Sequence, residues 1–218
     1  MNHKNQIPQP NFDDFVYISY AQNDRQYPHV GDIVYRFVDL FKQLNIKYRI
    51  DTENDGKNIY DFICEFESAK NIIVILSDKY FRSRNCMIEW INVQNNYDVN
   101  KKVIYIKYDE EAIILNDGSI LTNGFDLTND LYLSLLKTEW QKKQAKWHNQ
   151  QSDYKPSEIE KRNAKDDFYV SSFSKIKRLI SNSTCYKTSE LNAEFKKGGD
   201  VTSHSNLREI ISIISRGI

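Results

Sequence analysis

Net charge is missing from this 218-residue chain, in which 30 Lys+Arg stand against 30 Asp+Glu. That balance argues against a general nucleic-acid binder or a membrane-surface binder, since both draw on an excess of Lys and Arg. Long apolar runs are also missing: none approaches the ~20 residues needed to cross a bilayer. The opening stretch from Met1 to Asn11 is polar, carries Pro8 and Pro10, and lacks the apolar centre of a secretory signal. A soluble, cytoplasmic protein is expected. Cysteine is scarce, and Cys64, Cys86 and Cys185 are an odd number at wide spacings. They form neither a disulfide framework nor a CxxC zinc site and are read as buried or free thiols. The 7 glycines contain no GxGxxG and no GxxxxGK[ST], and the chain has no GxSxG. His3, His29, His148 and His204 are scattered without ligand-like spacing and are read as surface residues, so no metal site is expected.

What is present is enough for a globular core: 40% hydrophobic and 13% aromatic residues, with 28% charged. Phe15-Val16-Tyr17-Ile18-Ser19-Tyr20 is a β-branched and aromatic run that predicts a buried strand. From Val30, apolar residues recur at Ile33, Val34, Phe37, Val38, Phe41 and Leu44, the one-sided stripe of an amphipathic helix. Asn45 follows as a left-handed C-terminal cap. Lys47 to Ile50 predicts a second strand, and Asp51 to Lys57 a polar loop ending in Asp-Gly. Asn58 then caps a helix bearing Ile59, Ile63 and Phe66. Ile72 to Leu76 is uninterrupted and apolar, as in a central strand covered on both faces. Ser77 closes it, a helix runs from about Cys86 to Tyr97, and Val103 to Ile106 is the fourth strand. Strands alternating with helices predict an α/β fold with a parallel sheet and crossover helices.

The second half is less regular. Ala112–Leu115 and Ser119–Thr122 flank Asn116-Asp117-Gly118 and predict a hairpin. Leu127 to Trp147 reads as a helix of rising charge, and Gln141 to Asp167 as solvated helix or loop. Phe168 to Ile180 and Leu207 to Ile214 carry helical stripes on either side of a break at Lys196–Asp200. The expected organisation is a disordered segment over 1–11, an α/β core over 12–108, and a mainly helical remainder over 109–218. That remainder either completes the sheet with insertions or forms a regulatory piece.

In open α/β sheets, ligands bind beyond the carboxyl ends of the strands. Three segments converge there: Ser19-Tyr20 to Asp24, Asp51 to Asn58, and Ser77 to Glu89. Glu89 lies one turn after Cys86 and four residues before Val93, which places it at the edge of an apolar helix face. A partly covered carboxylate at the mouth of a sheet cleft is a functional candidate. The plainer reading is a Glu that complements the helix dipole.

Asp13-Asp14-Phe15-Val16-Tyr17-Ile18-Ser19-Tyr20 resembles the first motif of TIR domains, a strand ending in an F-I-S-Y-like sequence before a charged loop. Ile50-Asp51 and the loop containing Gly56 are similar to that family's second strand and BB loop. Ile72 to Ser77 followed by Tyr80, Ser83, Cys86 and Glu89 resembles the family's Ser-to-Glu segment, the most specific of the three. The matches keep order and spacing over roughly residues 12–108.

The resemblance implies a flavodoxin-like TIR fold, with helices on both faces of a parallel sheet and mainly helical additions toward the C-terminus. TIR domains are either adaptors that oligomerise or enzymes that cleave the nicotinamide–ribose bond of NAD. In the enzymes the essential glutamate lies on the helix where Glu89 falls. The resemblance therefore implies Glu89 as the catalytic residue, NAD as substrate with no cofactor or metal, and a role in bacterial immune signalling or antiphage defence. It implies nucleotide contacts from Ser19, Tyr20, Ala21 and Gln22. It also implies site closure and TIR–TIR assembly through Asp51–Asn58, with Asp51, Gly56 and Lys57, and an activating partner protein. Ser77 either bonds the ribose or caps the next segment. Asn85 stands where the family often has an aromatic residue, which removes a stacking surface. The family's Phe-Trp pair is missing too, and neither Trp140 nor Trp147 takes its place.

A single carboxylate suits this chemistry. Ordinary glycosidases need an acid as well as a nucleophile or base, because an alkoxide leaves badly. Nicotinamide leaves neutral from a cationic ring, so one anion that orients the ribose and stabilises oxocarbenium-like charge suffices. Capture by water gives ADP-ribose, and capture by the substrate's own adenine gives a cyclic isomer. Two other readings stand beside this one: a non-catalytic TIR scaffold, and a nucleoside deoxyribosyltransferase-like enzyme with its own catalytic Glu.

Overall fold

The computed structural model describes residues 15–21, 29–50, 69, 71–95, 102–149, 172–178, 180–181 and 183–215. The expectations for the 1–11 segment, the helix after Asn58, Cys64, Gln22, Asp51, Gly56 and Lys57 lie outside these residues.

Five parallel strands form the sheet: β1 (Val16–Tyr20), β2 (Tyr48–Ile50), β3 (Asn71–Leu76), β4 (Lys102–Lys107) and, after the hairpin strands β5 (Ile113–Ile114) and β6 (Ile120–Leu121), β7 (Cys185–Lys187). Their order is β2-β1-β3-β4-β7. This is the 2-1-3-4-5 arrangement of flavodoxin-like folds, with its topological switch between β1 and β3. β3 holds the centre and is buried at every position, as its unbroken apolar run requires. β7 extends the sheet by pairing Tyr105, Ile106 and Lys107 with Cys185, Tyr186 and Lys187. The second half of the chain therefore supplies the fifth strand. Three residues among Ser, Thr and Asn carry too little alternation to announce it.

Alternation along the strands splits the core in two. Val16, Ile18, Ile73, Ile75, Ile104 and Ile106 face α1 (His29–Gln43) and two later helices. Tyr17, Ala21, Ile72, Val74 and Leu76 face the opposite layer. That layer holds the short α2 (Asp78–Arg82), α3 (Arg84–Asn95) and α4 (Asp130–Asn149). The two helices sharing the α1 side are α5 (Thr188–Lys197) and α6 (Ser205–Ser215). α1 ends as expected, with Asn45 at φ 55. The hairpin forms in the expected place, pairing Ile113 with Leu121 and Ile114 with Ile120 around Gly118 at φ 83.

His204 departs from its surface assignment. It is buried, and its Nε2 lies 3.0 Å from the Gly198 carbonyl, tying the end of α5 to the start of α6. Glu194 of α5 reinforces that junction by accepting from the backbone N–H groups of Asn206 and Leu207 at 3.1 and 2.9 Å. Burial pushes the Glu194 carboxyl up, but these two bonds and the Ser205 hydroxyl outweigh it and hold it below its ordinary range.

Candidate functional site

The alternation that sends Tyr17 and Ala21 toward α3 sends Ser19 the same way, because residues two apart share a face. Ser19 is the penultimate residue of β1 and pairs with Val74 of β3, at the carboxyl end of the sheet beside the switch point. On α3, Cys86, Glu89 and Trp90 fall at i, i+3 and i+4 and point inward together. The two elements bring Ser19 and Glu89 into contact. The Ser19 hydroxyl donates to Glu89 Oε2 at 2.6 Å, and Tyr80 Oη lies 2.9 Å from the same Ser19 oxygen. Glu89 is 3% exposed, deeper than the edge position read from the sequence. A buried carboxyl group requires hydrogen-bond partners, and Ser19 supplies one.

Tyr80 is wholly buried. Burial raises its hydroxyl pKa well above the ordinary value, and the neighbouring Cys86 and Glu89 add to the effect. The phenol therefore stays protonated. Tyr20 is half-buried at the end of β1, and its carbonyl faces Cys86 Sγ at 3.7 Å. Ala21 is buried. Ser77 is buried as well, and its Oγ accepts from Tyr80 N at 3.1 Å, so its hydroxyl caps α2. Asn85 is exposed at the start of α3.

α2 is only 5 residues long. A helix of that length has no stability of its own, and this one is held at both ends. At its start, Ser77 accepts from Tyr80 N, and Glu111 Oε1 accepts from Asp78 N at 2.8 Å. At its end, Trp140 Nε1 donates to the Phe81 carbonyl at 3.0 Å and Lys143 Nζ donates to the Arg82 carbonyl. Asp78 is fixed in turn by Tyr132 Oη at 2.9 Å and Arg82 Nε at 2.6 Å, while Arg82 also meets Glu139 at 2.7 Å. The segment from Glu111 to Lys143 thus braces the helix that carries Tyr80. Sequence reading missed this network. Trp140, unassigned before, is fully buried in it. The available signal was an indole among charges, which on a helix marks the side turned inward.

Away from this site, a cavity of about 350 Å³ lies between α1 and the α5–α6 junction, walled by Arg36, Leu40, Phe195 and Val201. It sits on the other face of the sheet from Glu89, and its Glu194 and His204 are already committed to backbone groups. Among the described residues no group of His, Cys, Asp and Glu is placed to hold a metal ion. No described helix is long and apolar enough to cross a membrane.

A comparison with curated proteins gives no significant match. Among solved structures, the chain is similar to the TIR domains of the activated Roq1 resistosome, which directly recognises the pathogen effector XopQ. That likeness has a TM-score of 0.51 at 12% identity, over 93% of this chain and 98% of the other, and concerns the fold. The TIR domain of the Toll-related receptor TRR-2 from Hydra magnipapillata is also similar, at 21% identity over 42% of this chain and 67% of that one, with a TM-score of 0.31. The sequence pattern of the TIR domain matches residues 16–154, a span holding Ser19, Tyr80, Glu89 and the brace from Glu111 to Lys143. The chain belongs to the TIR domain family.

Proposed function

We propose that this TIR domain cleaves the nicotinamide–ribose bond of NAD, with Glu89 as the catalytic carboxylate. The observation that carries the proposal is the setting of Glu89: it is 3% exposed, at the carboxyl end of the sheet, and bonded to Ser19. There an anion acts in a low-dielectric site, where it stabilises developing positive charge far better than in water. As the C–N bond breaks, its electron pair leaves with nicotinamide and neutralises the pyridinium. The ribosyl cation, opposed by Glu89, is captured by water, which adds its oxygen and releases a proton to give ADP-ribose. Capture by the adenine of the same substrate gives a cyclic isomer. NAD is substrate here, and the scheme calls for neither metal nor cofactor.

The solved TIR neighbour belongs to an activated assembly that recognises a pathogen effector. For this chain we propose a cytoplasmic role in bacterial immune signalling or antiphage defence. Its activity would depend on TIR–TIR assembly through Asp51–Asn58, prompted by an activating partner protein. The proposed substrate contacts are Tyr20, Ala21, Gln22, Asp51, Gly56, Lys57 and Asn85, while the buried hydroxyls of Ser19 and Ser77 serve Glu89 and the α2 cap. The test is incubation with NAD at high protein concentration and mass identification of every product, beside Glu89→Gln. Nicotinamide release that rises steeply with protein concentration and vanishes in the variant is expected. Equal release from both proteins overturns the assignment.

One observation favours a second reading, a TIR scaffold without catalysis. Asn85 is exposed where an aromatic would offer stacking surface. Assembly with no nicotinamide release at any concentration would establish that reading.

A further inference from the structure

We propose that Tyr80 is a positioning residue that fixes the Glu89 carboxylate through the Ser19 hydroxyl; the catalytic part of this inference rests on Glu89 being the reacting group. A serine hydroxyl has one proton, and an ionised carboxylate only accepts. At 2.6 Å the Ser19 proton belongs to the bond with Glu89 Oε2. The Ser19 oxygen must then accept from Tyr80, 2.9 Å away. The result is a directed chain from Tyr80 to Ser19 to Glu89, in which each bond polarises the next.

The chain joins three elements, β1, α2 and α3, and each end is buried. Glu89 and Trp90 are packed into the core of α3. The Tyr80 ring meets the Phe81 ring edge-on at 6.1 Å, on the helix braced at both ends. Without the phenol, Ser19 can turn its proton elsewhere, and Glu89 loses one of the constraints on its carboxylate orientation. Small misplacements of a reacting group are costly because the bound geometry must be a near-attack arrangement. If Tyr80 only filled space, its hydroxyl would not matter.

The experiment uses Tyr80→Phe, Ser19→Ala and the double variant in the full chain. In Tyr80→Phe, kcat for NAD is expected to fall about tenfold or more with KM within about twofold, the signature of a lost transition-state interaction. Because Tyr80 acts through Ser19, adding Tyr80→Phe to Ser19→Ala should bring no further loss. An independent readout is the ¹³C resonance of the Glu89 carboxyl, assigned with Glu89→Gln. Its titration midpoint is expected at higher pH in Tyr80→Phe and in Ser19→Ala than in the wild type, since a bond favouring the charged form is gone. Unchanged kcat in an active Tyr80→Phe enzyme, or an unmoved midpoint, overturns the proposal. If the wild type cleaves no NAD, the enzymatic reading fails while the midpoint still decides whether the chain positions Glu89. If Tyr80→Phe does not fold, 3-fluorotyrosine at position 80 decides it: the ring is kept and the phenol donates more strongly, so the Glu89 midpoint should fall, and an unmoved midpoint overturns the proposal.

Discussion

Ser19 and Glu89, 70 positions apart in the chain, meet across 2.6 Å in the protein interior. The pairing follows from two periodicities. Period two along β1 turns Ser19 toward α3, and the i, i+3, i+4 stripe of α3 turns Glu89 toward β1. A polar pair at two otherwise apolar positions is expensive unless the groups satisfy each other. Replacing Glu89 therefore has two separable effects. Glu89→Gln keeps the volume and a hydrogen-bonding partner for Ser19, so its urea midpoint should differ little from wild type. Glu89→Ala leaves a cavity and removes the acceptor of the Ser19 proton, at a cost of about 1–3 kcal/mol. Both should abolish nicotinamide release. Chromatography for activity and urea melts for stability check the split, and activity lost in Ala but kept in Gln would count against the carboxylate.

The strands were legible because β-branched and aromatic runs need little context. Asn45 and the Asn116-Asp117-Gly118 turn were legible because backbone conformations near φ 55 and φ 83 favour few residue types. The helix α2 was not, since 5 residues hold barely one turn of periodicity. Its cap at Ser77 was the only local trace. β7 and α5 were hidden for a related reason: a three-residue strand is defined by its neighbour β4 rather than by its own pattern. In the candidate site, the likeness of the Ser77-to-Glu89 segment to the TIR motif pointed to the glutamate. Its partners could not be read, because Ser19 and Tyr80 become neighbours only after the sheet is assembled.

Glu111 makes stability depend on pH. Its Oε1 accepts from Asp78 N, while its Oε2 is buried without a hydrogen-bond partner among the described residues. Burial raises its pKa from 4.5 to about 7; the charge of Asp78 adds to this, and the Asp78 N–H bond with Arg82 and Lys107 opposes it. Between those two values the folded protein holds a proton that the unfolded chain has released. Stability therefore falls as pH rises from 4.5 toward 7 and stays low above it. The full effect is up to about 3 kcal/mol. Glu111→Gln cannot ionise, so it should match wild type near pH 5 and exceed it by about 1–3 kcal/mol near pH 8. Urea unfolding at the two pH values measures this, and parallel behaviour of the two proteins would refute it.

Two glycines with positive φ separate strain from collision. Gly118 at φ 83 has open space where a Cβ would stand. Gly118→Ala should cost about 1–2 kcal/mol, the penalty of a left-handed backbone. Gly124 at φ 69 would place its Cβ 2.2 Å from the Tyr108 carbonyl oxygen. Its N–H also donates to the Glu111 carbonyl at 2.8 Å, so the segment cannot shift away without breaking that bond. Gly124→Ala should cost clearly more, about 3 kcal/mol or above. Thermal melts of the two variants side by side test the ranking, and equal losses would remove the collision argument.

Trp140 offers a test of the brace at a distance from the proposed chemistry. Its indole N–H donates to the Phe81 carbonyl at 3.0 Å, at the end of the helix bearing Tyr80. Lys143 sits over the same indole, with Nζ 4.9 Å from the ring centroid, and donates to the next carbonyl, that of Arg82. Trp140→Phe keeps an aromatic ring in the buried space but leaves Phe81 without its donor. A buried carbonyl so stranded costs about 1–3 kcal/mol. The activity prediction goes further. Loosening α2 moves Tyr80, and with it the orientation of Ser19 against Glu89, so NAD cleavage should fall even where the protein remains folded. In a Tyr80→Phe background the phenol is already gone, and Trp140→Phe should then reduce stability while changing kcat little. A loss of kcat equal in both backgrounds would show that Trp140 affects the site by a route other than α2 and Tyr80.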